Sequence, residues 1–500
     1  MGHVSGDSLS VSGRLIEWAR PLLIDAAAVF LLLSVALYNG YPTLFSDTGS
    51  YLLTGTTFVA FPPVRAPGYS IFTRWTSFEA SAWWTILAQA LIVVYVLRET
   101  CDYFIEDDRK VADLCLLASV SALALLTSLP WLVSLLMPDV FAGVVFLTAF
   151  LLVFAGKLRL IQRTSLAAIL MISVSTHMSL LPISILFAAG AIAMKFVVQP
   201  RAEFSLKPVL AWLLVPVILS AITTAALNRE MGLGFRVSPS RNDFVLARLF
   251  GDGLAGDFLR KNCPSPQFAV SCKYLSNLPT TQEGFLFRGV MYHDLIQHPD
   301  EMDRIVRGTL LAHPVKFVAS SARETLHQLI VFRTGDEIRT YGAWRWNYQA
   351  MQQVFPAEFS AFQNSRLLTG RMLPLANIAA ALDSKIFWLS TLACIILAWT
   401  DRYERVNKLF YAAILFLVIN AAICASLSGV YDRYQSRVVW LMPFCLTAYA
   451  CCFVKESMQA GVREGTAYEQ FQYDSPLPVD TGAAAGLEQI SFTSEVREES

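Results

Sequence analysis

The stretch SLAAILMISVSTHMSLLPISILFAAGAIAMKFVV, residues 165–198, decides how this chain is folded. It is almost free of charge and much longer than the roughly 20 residues that cross a bilayer. Ser175-Thr176-His177-Met178 and Pro182 break it in the middle. Read as one kinked helix, it carries Lys195, Arg201 and Lys207 to the outside. Read as a hairpin of two spans, 165–180 and 181–198, it returns them to the inside. Lys and Arg are enriched in short cytoplasmic loops, so the charges select the hairpin.

The same rule extends in both directions. Apolar segments of spanning length lie at 21–38, 82–98, 112–129, 138–156, 208–228, 384–400, 407–427 and 436–454. With the hairpin they make about ten spans. If the N-terminus is cytoplasmic, the inside loops hold Arg98, Arg109, Lys110, Lys157, Arg159, Arg163, Lys195, Arg201, Lys207, Arg402, Arg405 and Lys408. The short outside loops hold only Arg65, Arg74, Arg433 and Arg437. The expected architecture is an all-α polytopic membrane protein with both termini in the cytoplasm. It divides into an N-terminal stretch 1–20, a seven-helix module 21–228 whose first outer loop is 39–81, an extracytoplasmic domain 229–383, three spans within 384–454, and a polar, acidic tail 455–500 expected to be disordered. The run 21–38 lacks a small-residue cleavage site and reads as a retained span, not a signal peptide.

Composition agrees. The chain is 55% hydrophobic and 16% charged, against about 45–50% and 25% for soluble proteins. Basic and acidic residues balance at 39 each. With no basic run and no nucleic-acid motif, no nucleic-acid partner is indicated.

Within 229–383, helical periodicity runs through Asp300–Ala312 and Lys316–Phe332, on either side of His313-Pro314. The outer domain is therefore expected to be mainly helical. The aromatic run Tyr341–Tyr348 suits either the outer membrane interface or a small soluble core. Of nine cysteines, only Cys263 and Cys272 fall outside the membrane in an oxidising location. They flank a turn-rich loop and are expected to form a disulfide. No second Cys/His pair has the spacing of a zinc site.

The chemistry-bearing residues gather at the outer ends of the spans. Asp47 lies among Ser, Thr and Gly in Phe45-Ser46-Asp47-Thr48-Gly49-Ser50-Tyr51. It reads as a helix N-cap or as a carboxylate that activates an acceptor. Arg65 sits in a stiff Pro/Gly turn near the headgroups, as a snorkelling side chain or a phosphate ligand. Asp139 follows Pro138 at the start of a span, where an acid suits the helix dipole. His177 stands near the outer end of the fifth span, and an ionisable group there suggests function. Arg433 and Arg437 break the outside charge rule and suit an anionic group, or pair with acids such as Asp432. No phosphate loop, H-E-x-x-H motif or nucleophile elbow is present.

An outer-loop Asp with Tyr51 four residues on, followed by Arg65-Ala66-Pro67-Gly68-Tyr69 and by Pro138-Asp139, resembles the GT-C superfamily of membrane glycosyltransferases. These include protein O-mannosyltransferases and bacterial lipid A glycosyltransferases. The likeness covers about 20–230 in pattern and the rest in layout. It implies transfer of a sugar from a polyprenyl-phosphate donor to a lipid, glycan or protein acceptor, on the periplasmic side of a bacterial inner membrane. By that likeness Asp47 and Asp139 are the catalytic acids, and Arg65 and Tyr69 belong to the donor turn. His177, Arg433 and Arg437 are expected donor-phosphate contacts from topology alone. Asp47 is followed by Thr48 where many members carry a second acid, which leaves a Mg or Mn cofactor open. Two other readings stand beside this one. An O-antigen-type polymerase or ligase would use outer-domain residues such as His313, Arg323 or Arg339. A transporter or lipid flippase would show charges near the bilayer midplane and helices broken in pairs, and only the break near His177 is visible.

Overall fold

The computed structural model describes residues 11–61, 64–106, 108–198, 206–287, 289–335 and 345–474. Arg201 and Arg339 lie outside them. Residues 1–452 form one compact unit and 453–500 a second. The described elements are helical, and their one β pairing is an isolated bridge between Thr43 and Leu135.

Helix α1 (Val11–Leu32) is followed by the first outer loop, which carries α2 (Thr48–Thr57) and α3 (Pro67–Ser77). Next come α4 (Ala82–Ile105), α5 (Arg109–Leu126), α6 (Phe141–Phe154), α7 (Leu160–Thr176), α8 (Leu180–Val198) and α9 (Leu206–Glu230). The outer segment contains α10 (Arg241–Gly251), α11 (Pro299–Ala312), α12 (Pro314–Ile330) and α13 (Arg345–Val354), with shorter turns between them. The chain then continues through α14 (Leu373–Trp399), α15 (Glu404–Leu427), α16 (Asp432–Val439) and α17 (Leu441–Asp474).

Six helical stretches are long and apolar enough to cross a membrane: α4, α8, α9, α14, α15 and the run Asp432–Ala460 through α16 and α17. Helices α6 and α7 are apolar but shorter. The remaining expected spans, 21–38 and 112–129, fall on α1 and α5. Local chemistry sets several starts. Ser81 accepts from the Trp83 amide ahead of α4, and Asp108 from the Val111 amide ahead of α5. Proline occupies the first turn of α11 and α12, where its missing N–H costs nothing.

Residues 165–198 form a hairpin. Near the start of α7, Gln162 donates to Glu99 at the far end of α4 (2.7 Å). Near its end, Gly68 of α3 packs so closely that an added Cβ would sit 2.2 Å from the Ser175 carbonyl oxygen. His177 is extended (φ −143°, ψ 134°) and ends the helix. Helix α8 then returns, because Lys195 donates to the Val153 carbonyl near the end of α6, close to where α7 began.

At that same end of the bundle, Arg98 donates to Asp25 (2.7 Å) and Asp113 (2.6 Å), and Arg20 donates to Asp113 (3.0 Å). This ties α1, α4 and α5 together around a carboxylate that is 1% exposed. The outer segment has its own core, including Phe250, Leu259, Phe285, Leu295 and Ile305. Cys263 and Cys272 are disulfide-bonded beside it, with Cα atoms 5.7 Å apart.

Of the aromatic run, Tyr341–Trp344 lie outside the described residues. The rest opens α13 and divides: Asn347 is buried and Tyr348 packs on Phe359 and Phe362, while Trp346 is 58% exposed. One expectation changes. The tail expected to be disordered from 455 is helical to Asp474. Its Glu, Met, Gln and Ala content favours helix.

Replacing Asp113 with Asn should lower thermal stability, because it leaves two arginines around an uncompensated site. Breaking a buried pair in this way typically costs about 3–5 kcal/mol. An unchanged melting temperature of the purified variant would show that the network contributes nothing.

Candidate functional site

Backbone pairing brings the site together. The Thr43 amide donates to the Ser134 carbonyl (2.9 Å), and the Leu136 amide donates to the Thr43 carbonyl (2.9 Å). The next residue, Met137, is extended, as a residue before proline should be, and Pro138 opens a helical turn. The first outer loop and the entry to α6 are thereby joined, which places Asp47 and Asp139 on one wall. The Thr48 hydroxyl reinforces this, accepting from the Phe45 amide (2.9 Å) and donating to the Leu136 carbonyl (3.0 Å).

Asp47 occupies the N-cap position of α2, yet its carboxylate caps no amide. It is held instead by two arginines. Arg65 Nη2 donates to Oδ1 (2.6 Å), and Arg433 Nη1 donates to Oδ2 (3.2 Å). Arg433 also lies over the Phe45 ring, 4.6 Å from its centroid. Its Nε is 3.6 Å from Asp139 Oδ1, and Arg437 Nη1 is 4.0 Å from the same oxygen. Arg437 is fully buried. Asn420, in the middle of α15, accepts from its Nη2 (2.7 Å) and Nε (3.2 Å). The Ser179 hydroxyl accepts from Nη2 (3.0 Å) and lies 2.9 Å from His177 Nδ1. His177 also meets the Tyr434 ring edge-on.

Asp47, Arg65, Asp139, His177, Arg433 and Arg437 are therefore all brought together. Tyr69 joins only by packing. Its ring meets Tyr51 edge-on at 5.1 Å, but its hydroxyl donates to Gln89 (2.8 Å) and faces away from the carboxylates. Arg323 is exposed and donates to Glu324, apart from this cluster.

The cluster is charged unevenly: three guanidiniums face two carboxylates. Four buried atoms within it have no hydrogen-bond partner, namely Arg65 Nε, Arg433 Nε, Arg437 Nη1 and Asp139 Oδ1. Buried donors without a hydrogen bond are rare in folded proteins; here Arg433 Nε and Arg437 Nη1 face Asp139 Oδ1 only at ion-pair distance, and Arg65 Nε makes no hydrogen bond. Asp47 and Asp139 already face arginines, and among the described residues no three His, Cys, Asp or Glu gather as metal ligands. This donor set does not fit a divalent cation.

Sequence reading missed three members, two of them without any signal. Arg333 lines the cleft beside Asp139 and Arg433, together with Phe45, Trp131 and Leu132. Its Nη2 donates to Asn377 (2.6 Å). Asn347 of α13 is buried against the loop, accepting from the Gly49 amide (2.7 Å) and donating to the Phe45 carbonyl (2.8 Å). Gly49 is required there, since a Cβ would lie 2.7 Å from the Trp346 carbonyl oxygen. Neither residue stands in a motif. A third, Asn420, carried a signal in its amide within an otherwise apolar span.

No family model matches the chain, and no curated protein or solved structure matches it.

Burial alone would raise the Asp47 carboxyl, but Arg65 and then Arg433 hold it below its ordinary value. A carboxylate depressed in this way stabilises the fold at every pH above its unfolded pKa, about 3.9. That contribution is lost only as pH falls through the lower folded value. The melting-temperature gap between wild type and Asp47→Asn should therefore be constant near neutrality and close only in strong acid. A gap that closed around pH 6 would contradict the clamp.

Replacing Asn347 with Ala leaves the Gly49 N–H unmatched, at about 1–3 kcal/mol, and leaves the Phe45 C=O with the Thr48 amide alone. Hydrogen exchange in residues 45–57 should speed up, and an unchanged rate would remove Asn347 from the scaffold of the site.

Proposed function

We propose that the chain is an integral membrane glycosyltransferase of GT-C type, moving a sugar from a polyprenyl-phosphate donor to a lipid, glycan or protein acceptor. In this reading the chain spans a bacterial inner membrane about ten times, with both termini in the cytoplasm and the Asp47 cluster on the periplasmic side. The observation that carries it is the convergence of three unmatched arginine N–H groups beside two carboxylates. The cleft they share with Arg333 has apolar walls from Phe45, Trp131 and Leu132. A phosphate on an isoprenoid chain needs both features.

The reaction is a displacement at the anomeric carbon. The acceptor oxygen or nitrogen forms the new bond to that carbon. The bond from the carbon to the phosphate oxygen breaks, and the electron pair leaves on polyprenyl phosphate. The acceptor proton goes to a carboxylate. Asp47 in its present pairing is a weak base, because Arg65 and Arg433 stabilise its charged form. A donor phosphate changes this by competing for the same guanidiniums. As Arg433 turns to phosphate, Asp47 regains an unpaired oxygen and becomes basic enough to orient the acceptor and deprotonate it. The arginines meanwhile stabilise charge developing on the leaving group. Asp139, between Arg433 and Arg437, keeps both guanidiniums aimed into the cleft.

Asp47→Asn should reduce transfer at least about 100-fold while leaving protein abundance unchanged. The assay uses membranes from expressing cells and a panel of radiolabelled polyprenyl-phosphate sugars. Equal labelling by wild type and variant would remove Asp47 from the reaction and with it this reading of the site.

A further inference from the structure

Helix α12 is amphipathic in the reverse of the usual sense. Val315, Val318, Ala322, Leu326 and Ile330 recur at helical spacing, and all five are exposed. The four large ones are 60–79% exposed. The opposite face is polar and turned inward. Ser320 accepts from Arg248 Nη2 (2.9 Å), and the same guanidinium donates through Nε to the Ala425 carbonyl (2.9 Å). Gln328 is fully buried, donating to the Tyr431 carbonyl (3.0 Å) and accepting from the Tyr431 amide (3.0 Å). A helix in water with this pattern would expose its polar face.

Position resolves the inversion. Helix α12 packs along α15, one of the helices long and apolar enough to cross a membrane. The chain just beyond it descends alongside another. Phe332 meets Phe387 of α14 edge-on at 5.0 Å, and Thr334 donates to Asp383 of the same helix. These contacts fall well inside α14, not at its first turn. At this level α14 itself exposes Ile378, Leu382 and Leu389. Whatever covers those side chains also reaches the lower end of α12.

We infer that α12 is a membrane-immersed helix in the outer leaflet, with its Val315–Ile330 stripe covered by lipid acyl chains. Part of the segment 229–383 then belongs to the bilayer-facing body and not to a water-surrounded domain. Lys316 and Arg323, seven residues apart on the flank of the stripe, are both exposed. They reach toward headgroups as long basic side chains do at an interface. The inference concerns lipid contact alone and stands whether or not the cluster around Asp47 is a transferase site.

The test places single cysteines at Val318→Cys and Leu326→Cys, with Asp300→Cys at an exposed position of α11 as the aqueous control. Val315→Cys serves if either label disturbs folding. Each purified variant is labelled with an environment-sensitive maleimide fluorophore and placed in lipid nanodiscs, with wild type as the blank for its buried native thiols. Lipids bearing a nitroxide on the acyl chain should quench positions 318 and 326 several-fold more than position 300, and aqueous iodide should show the opposite order. Iodide quenching at 318 and 326 equal to that at 300 would put the stripe in water and overturn the inference. Protection of both positions from both quenchers would mean that protein covers the stripe, and would overturn it equally.

Discussion

Burying an arginine in the upper part of a helical bundle is costly unless its charge is matched, and this protein carries two on one short helix, Arg437 fully buried and Arg433 largely so. Arg433 and Arg437 of α16 point into the space enclosed by the first outer loop, the start of α6 and the middle of α15. Their neighbours are those such charges require: Asp47, Asp139 and the Asn420 amide. The surrounding architecture serves that matching. The Thr43 bridge draws the outer loop against the entry to α6, Pro138 starts a helical turn with an acid in it, and Asn347 fastens the loop from the outer segment. Take away the arginines and these constraints have no common purpose.

The two ends of the bundle treat charge differently. At one end, Arg98 is shared between Asp25 and Asp113, and Arg20 completes the set. Cations and anions there are equal in number and in bonding contact, which makes a strut between helices. At the other end, cations exceed anions and three buried guanidinium N–H groups make no hydrogen bond, two of them facing Asp139 at 3.6 and 4.0 Å. A cluster built only for stability would not keep unmatched donors, since each costs about 1–3 kcal/mol. The imbalance makes chemical sense if an anionic ligand completes the site.

Much of this was legible in the sequence because membrane topology is a strong constraint. Once the break at His177 is read as a hairpin turn, the side of every later loop follows, and Asp47, Arg65, Asp139, His177, Arg433 and Arg437 fall at one end. The structure brings those six together. Topology says nothing of direction within an end, so it gave no sign that the Tyr69 hydroxyl turns to Gln89. Arg333 was invisible because it follows a helix without a motif, and its partners come from α14 and α16. The orientation of α12 was hidden for a deeper reason. Periodicity reports that a helix has an apolar stripe, and in water that stripe must face protein. Beside a bilayer it can face lipid, and only the packing of Ser320 and Gln328 tells which.

The position of α12 also bears on how a lipid-linked substrate would meet the arginines. The helix ends at Ile330, and three residues later Arg333 lines the cleft with Arg433 and Asp139. An apolar surface running along α12 thus ends at cations, with Trp131 and Leu132 continuing the apolar wall inside. A charged phosphate on a long hydrocarbon tail cannot leave the leaflet cheaply, because each part favours a different solvent. A site recessed beside a lipid-covered helix spares it that transfer: the tail stays among acyl chains while the phosphate moves sideways into the arginine cluster. In the proposed reaction the charge clamp on Asp47 would work as a gate on basicity, with the carboxylate released when an anion takes Arg433 from it.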